Sequence, residues 1–285
     1  MSVAQIGLVD KTGSLNADLL QAAAQAFNIQ VTRDLPQFWQ VNATVSYLPN
    51  PSKVPAGVWP VLLVKKLPPG EGGFHLDRHN QPYAKVEIGG GDGWTVAASH
   101  EICEMLVDPY GNRIQSSRSI EIVGGKIQDG PGEFEYLVEA CDPCEADNYS
   151  YSIQGVVVSD FITPHFYDPV TAAGTRYSFT GALTAPRQIL PGGYISWINP
   201  VSEEWQQLQY LSATPQIVNL GPAEHKSLRE WIHTKNADVK GLRNTRALSG
   251  SIVNKALFEA SRQRREIMAG IATQRAKRIG EAAAR

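Results

Sequence analysis

The 285-residue chain has no long hydrophobic run and few cysteines, and its net charge is only -2. Each absence removes a class. No apolar stretch approaches the roughly 18–20 residues of a membrane span, so no membrane partner is expected. Three cysteines, an odd number, do not make the framework of a small disulfide-stapled domain. A near-neutral balance excludes a polyanion or a chain that binds nucleic acid through bulk charge. The opening residues lack a basic segment before an apolar stretch, and Asp10 and Lys11 interrupt what apolar character there is. The expectation is an intracellular product.

What is present is an ordinary globular composition, 42% hydrophobic and 19% charged, with a hidden asymmetry. Residues 224–285 carry a net +8 and residues 1–223 a net -10. Its last part, Ser261 to Arg265 with Arg275, Lys277 and Arg278, has no aromatic interleaving beyond Phe258. It reads as a docking helix for a protein partner or a homo-oligomer rather than for nucleic acid.

Periodicity places a buried strand at Ala4 to Val9 and a helix from Leu15 to Phe27, with further strands at Ala43 to Leu48 and Trp59 to Val64. Phe74 to Asn80 reads as a polar hairpin, with the alternative that its strand edge takes an extended peptide. Tyr83 to Ile88 alternates as a strand, Gly89 to Gly93 forces a turn, and Thr95 to Val107 is the strongest helix of this half, stopped by Pro109. From Ile114 to Tyr151 the signals are hairpin-like, with turns at Gly124-Gly125 and Asp129 to Gly132. Residues 177–198 have the glycine, proline and aromatic content of β structure with long loops, and Gly221-Pro222 marks a boundary. Helices are expected at Glu224 to His233 and Ser251 to Ala284. The fold class is α+β in three parts: residues 1–170, a β- and loop-rich extension 171–222 packing on them, and a basic helical tail 223–285.

The chemistry concentrates in Ser99-His100-Glu101-Ile102-Cys103-Glu104, which runs on to Asp108-Pro109. Residues four apart share a helix face, so His100 and Glu104 can reach one ion from successive turns. Glu101, one position round, can hold a water against that ion as general base. His-Glu-x-x-His performs this task in zinc peptidases; here a carboxylate takes the place of the second histidine, which zinc tolerates. The flanking Ala97, Ala98, Ile102, Met105 and Leu106 bury the other faces and turn the polar stripe toward a cleft. Asp108, about 12 Å further along the axis, is expected to cap the following loop with Pro109 and Asn112. A third ligand must come from elsewhere, and Glu139-Ala140-Cys141-Asp142-Pro143-Cys144-Glu145 is the dense candidate: Glu139 or Asp142. The Cys141/Cys144 pair reads as structural, with Asp142-Pro143 making a turn, and Cys103 faces the core. His165 and Tyr167 are candidates for an oxyanion or ligand role, read first as a satisfied interior histidine and an aromatic core residue.

These two segments resemble a zincin-like group with the pattern His-Glu-x-x-Glu and, later, Glu-x-x-Asp-x-Cys. It is found in uncharacterised bacterial and tailed-phage proteins and, more distantly, in plant proteins of the Exordium type. The matching positions are His100, Glu101, Glu104, Glu139, Asp142 and Cys144. The order strand, helix, strands, edge strand, active helix is also similar, so the resemblance spans roughly residues 1–170. It implies a metallopeptidase-like fold, one zinc ion and a peptide substrate, in the cytoplasm or, for a phage-encoded chain, the virion. A second reading is a structural or virion component that keeps the fold as a scaffold and assembles through its tail.

Overall fold

The computed structural model describes residues 3–68, 72–89 and 93–222. The expected helices at Glu224 to His233 and Ser251 to Ala284 lie outside them.

The chain mixes two α-helices with two five-stranded sheets and a small hairpin among the described residues. Strand β1 (Ala4–Asp10) is apolar and buried from Ile6 onward. It ends where the Asp10 carboxylate accepts from the backbone of Thr12 and Leu15 and so closes the turn into the first helix. Helix α1 (Ala17–Ile29) starts at Asn16, whose side chain accepts from the Asp18 amide at 2.7 Å, satisfying one of the amides a helix start leaves over. Its buried stripe is Leu20, Ala23, Ala24, Ala26 and Phe27, and it runs on through a π-turn at Gln30–Asp34.

β1 lies parallel between β2 (Ala43–Tyr47) and β3 (Val58–Val64). β3 pairs in parallel with β5 (Gln81–Glu87), and β4 (Gly73–Arg78) closes the sheet as an antiparallel edge strand on β5. The β4–β5 turn is His79-Asn80, both at positive φ, the conformation whose twist suits a two-residue hairpin. That turn fixes the register, and the register opposes His75 to the buried Ala84. The segment expected as a polar hairpin is therefore a hairpin strand with one buried imidazole.

Helix α2 (Trp94–Val107) follows β5 and packs on β4 and β5. All its residues except Ala97 are buried. The expected polar stripe facing a cleft is thus covered: His100 is 8% exposed, Glu101 5% and Glu104 0%. Past its end, Asp108 accepts from the amides of Asn112 and Arg113, the loop-capping role expected of it.

The second sheet is wholly antiparallel: β6 (Ile114–Val123), β7 (Lys126–Leu137), β10 (Tyr194–Ile198), β11 (Trp205–Gln209) and β12 (Gln216–Gly221), with β7 between β6 and β10. Gly124-Gly125 turns the first hairpin as expected. Asp129 to Gly132 does not turn the chain. It forms a bulge inside β7, where Ser119 alone faces Gly130, Pro131 and Gly132 and its hydroxyl donates to Pro131 O at 3.0 Å. Gly132, at φ +98°, absorbs the extra residues. Between β7 and β10 lie the hairpin β8 (Tyr151–Ile153) and β9 (Val156–Val158), a bridge from Ile162 to Ser178, and long loops. No helix of the described residues is long and apolar enough to cross a membrane.

Candidate metal centre

Three pieces of chain converge: α2, the edge strand β4, and the segment 139–145 that leaves β7 as a 3-10 turn at Asp142–Cys144. From α2, His100 Nε2 lies 3.3 Å from Glu104 Oε2, as residues four apart on one helix allow. From the turn, Asp142 Oδ1 comes to 3.2 Å from the same imidazole nitrogen. From β4, His75 Nδ1 approaches Glu101 Oε2 at 3.1 Å and Glu104 Oε2 at 3.5 Å. The Cys141 amide donates to Glu104 Oε1 at 3.1 Å, which ties the incoming segment to the helix carboxylate.

The five residues singled out from the sequence meet in this cluster. His100, Glu101 and Glu104 form one set of mutually close donors; Glu104 joins His75 and Glu139 in a second; His100 joins Asp142 and Glu145 in a third. The choice between Glu139 and Asp142 becomes a division: Asp142 sits on the His100 side of Glu104 and Glu139 on the His75 side. His75 and Glu145 are the residues that the sequence reading missed. The signal for His75 was available in the hairpin: His79-Asn80 sets the register, the inward face of β5 carries Ala84 and Val86, and His75 lies opposite Ala84.

Glycines make room at two points. A Cβ on Gly73 would stand 2.8 Å from Glu101 Oε1, so β4 lies directly against that carboxylate. A Cβ on Gly193 would stand 2.6 Å from Pro143 O and 2.7 Å from Asp142 O. The Leu190 amide donates to Pro143 O at 2.9 Å, so the loop before β10 clamps the Asp142 turn from outside.

Electrostatically the cluster is short of positive charge. Two imidazoles face Glu101, Glu104, Glu139, Asp142 and the half-buried Glu145. Burying ionised carboxylates is costly unless they are paired or bind a cation. Burial raises Asp142 well above the usual carboxylate range and the charge of Glu104 adds to it, with His100 pulling the other way. Burial opposes a charge on His100, yet Glu104 beside it and its bonds to Asp142 and Glu104 carry it well above the ordinary histidine value.

The donor set fits a cation. Ligand atoms about 2.0–2.2 Å from a tetrahedral ion stand about 3.3–3.6 Å from one another. The observed 3.2 and 3.3 Å around His100, and the 3.5 Å between His75 and Glu104, are ion-pair distances that also match single edges of such a shell. These buried His, Glu and Asp groups can hold a metal ion.

The remaining candidates fall elsewhere. Cys103, Cys141 and Cys144 are buried free thiols. Cys141 Sγ lies 3.7 Å from His100 O, against the helix that carries Cys103, and burial raises the Cys141 and Cys144 thiols well above their ordinary value. His165 is not an interior residue: it is exposed, on a short 3-10 turn at the surface, and its Nδ1 is 2.8 Å from Asp168. Tyr167 is buried in the aromatic core, as expected.

No protein-family model matches the chain, and no curated protein or solved structure matches it.

Proposed function

We propose that the chain is a zinc-dependent, metallopeptidase-like hydrolase with a zincin-like first half. One observation carries the reading: the buried His100 Nε2 has Glu104 of its own helix at 3.3 Å and Asp142, 38 residues beyond Glu104, at 3.2 Å. The parallel strands closed by an antiparallel edge strand, with the motif helix packed on that edge, support the zincin-like assignment.

His100, Glu104 and Asp142 would hold the ion, and a neutral imidazole with carboxylates is an acceptable donor set for zinc. When bound, the ion supplies Lewis acidity toward water and a substrate carbonyl. Glu101 acts as the general base, accepting a proton from the attacking water and returning it to the leaving amine. His75 Nδ1, 3.1 Å from Glu101 Oε2, fixes that oxygen, while the missing side chain of Gly73 leaves space beside Oε1.

Burial of the centre favours a second reading. With Glu101 only 5% exposed, the same donors serve a structural ion as well, in a chain that assembles through residues 223–285. Elemental analysis of the full chain, then a generic peptidase assay beside Glu101→Gln, separates the two. The hydrolase reading expects bound metal in both proteins and activity reduced about 10²–10⁴-fold in the variant. Bound metal with no hydrolysis by either protein leaves the structural reading. Metal-free protein overturns both.

A further inference from the structure

We propose that the centre takes a second divalent cation, held by His75, Glu104 and Glu139 on the side of Glu104 away from His100. The inference rests on the metal-binding reading above and extends it from one ion to two.

The donors are too many and too divided for one ion. A tetrahedral ion uses four ligands at about 2.0–2.2 Å, so two of its donors cannot stand much more than about 4 Å apart. Here His75 and His100 fall in different sets of mutually close atoms, one with Glu139 and the other with Asp142 and Glu145. The first and last of these sets share no residue. Each contains one imidazole and carboxylates, the mixed nitrogen and oxygen donors that suit zinc, manganese or iron.

Glu104 is the hinge between them. Its Oε2 is 3.5 Å from His75 Nδ1 and 3.3 Å from His100 Nε2, so one oxygen faces both imidazoles. Its Oε1 is held by the Cys141 amide at 3.1 Å, which keeps Oε2 pointed between them. A carboxylate oxygen placed in this way suits a bridging ligand, and two-ion hydrolytic sites work with neighbouring cations about 3.5–4 Å apart.

Charge favours the same count. Fully ionised, the five carboxylates carry five negative charges against two imidazoles that must be neutral to ligate. One divalent cation leaves a large buried excess, and a second brings the cluster close to neutrality.

The test is metal stoichiometry of the metal-free full chain, by equilibrium dialysis with zinc alone and, separately, manganese alone. About two equivalents are expected at saturation, with an exchange-coupled paramagnetic resonance spectrum for the manganese protein. His75→Ala and Glu139→Gln should each lower the count to about one and remove the coupling. Both positions are buried, so unfolding of either variant is checked by circular dichroism, and the wild-type stoichiometry and coupling decide the question without them. One equivalent in the wild type overturns the second position and leaves the first. Two uncoupled equivalents, or two retained in a folded His75→Ala variant, also overturn it. No bound metal overturns this proposal and the hydrolase reading together.

Discussion

The two sheets hold their shares of the centre in different ways. The mixed sheet delivers its residues on regular elements: His100, Glu101 and Glu104 on α2 and His75 on β4, each placed by helix pitch or strand register. The antiparallel sheet delivers Asp142 on a 3-10 turn beyond β7, whose position depends on backbone packed against backbone at Gly193 and Leu190. Periodic elements tolerate small errors because many hydrogen bonds share the constraint. A turn clamped by a few backbone contacts does not. The half of the site that closes the donor set is therefore the more fragile half.

Gly193→Ala should show this most strongly. Its new methyl meets two carbonyl oxygens that no side-chain rotation can move. We expect a loss of about 3 kcal/mol, the upper part of the range for overpacking, read from the urea midpoint. Metal affinity should fall with it, because Asp142 moves. Next comes removal of the cation: at zinc a hundredfold above its dissociation constant, binding adds about 2.7 kcal/mol, so chelation should lower the thermal midpoint reversibly. Unchanged melting with and without chelator would count against a resident ion.

Gly73→Ala is the matching change on the mixed sheet. Its methyl meets the Glu101 side chain from Cγ to Oε1 rather than backbone, and a side chain can shift where a carbonyl cannot. The expected stability loss is about 1 kcal/mol or less, with the displaced Glu101 lowering hydrolysis more than metal content. Equal destabilisation by the two glycine variants would remove the contrast between the sheets.

The smallest expected effect is a pH dependence at Asp160, in the long connection between β7 and β10. Burial pushes its carboxyl up to about 6, against hydrogen bonds from Thr180, Ser178 and the Phe161 amide. Between about pH 4, where the unfolded carboxyl titrates, and about pH 6, the folded chain keeps a proton that the unfolded chain releases. The stability this proton confers is full below that window and is lost as pH rises through it. Wild type should therefore lose ground to Asp160→Asn between pH 4 and 6, measured as the difference of their urea midpoints. A flat difference would show that the hydrogen bonds outweigh burial.

The same division explains what could be read from the sequence. β1, α1, β2, β3, β5 and α2 announce themselves by period and by their turns, and the observed bounds differ by a residue or two. The pair His100 and Glu104 needs only helix geometry. Where meaning depends on a partner distant in sequence, the reading stops short. Asp129 to Gly132 has the composition of a turn, and only Ser119 across the ladder makes it a bulge. His165, expected as a satisfied interior histidine, lies at the surface beside Asp168. His75 acquires chemistry only because β4 lies across α2. Glu139 and Asp142, three residues apart, are equivalent on paper and face different imidazoles once the turn is formed.

The most direct measurement is an anomalous difference map from crystals of the full chain grown with zinc and recorded on either side of the zinc absorption edge. The expected result is a peak within ligand distance, about 2.0–2.2 Å, of His100 Nε2, a Glu104 oxygen and Asp142 Oδ1. A map with no anomalous density among these residues at saturating zinc, with the His100–Asp142 contact retained, would contradict the assignment of a metal centre.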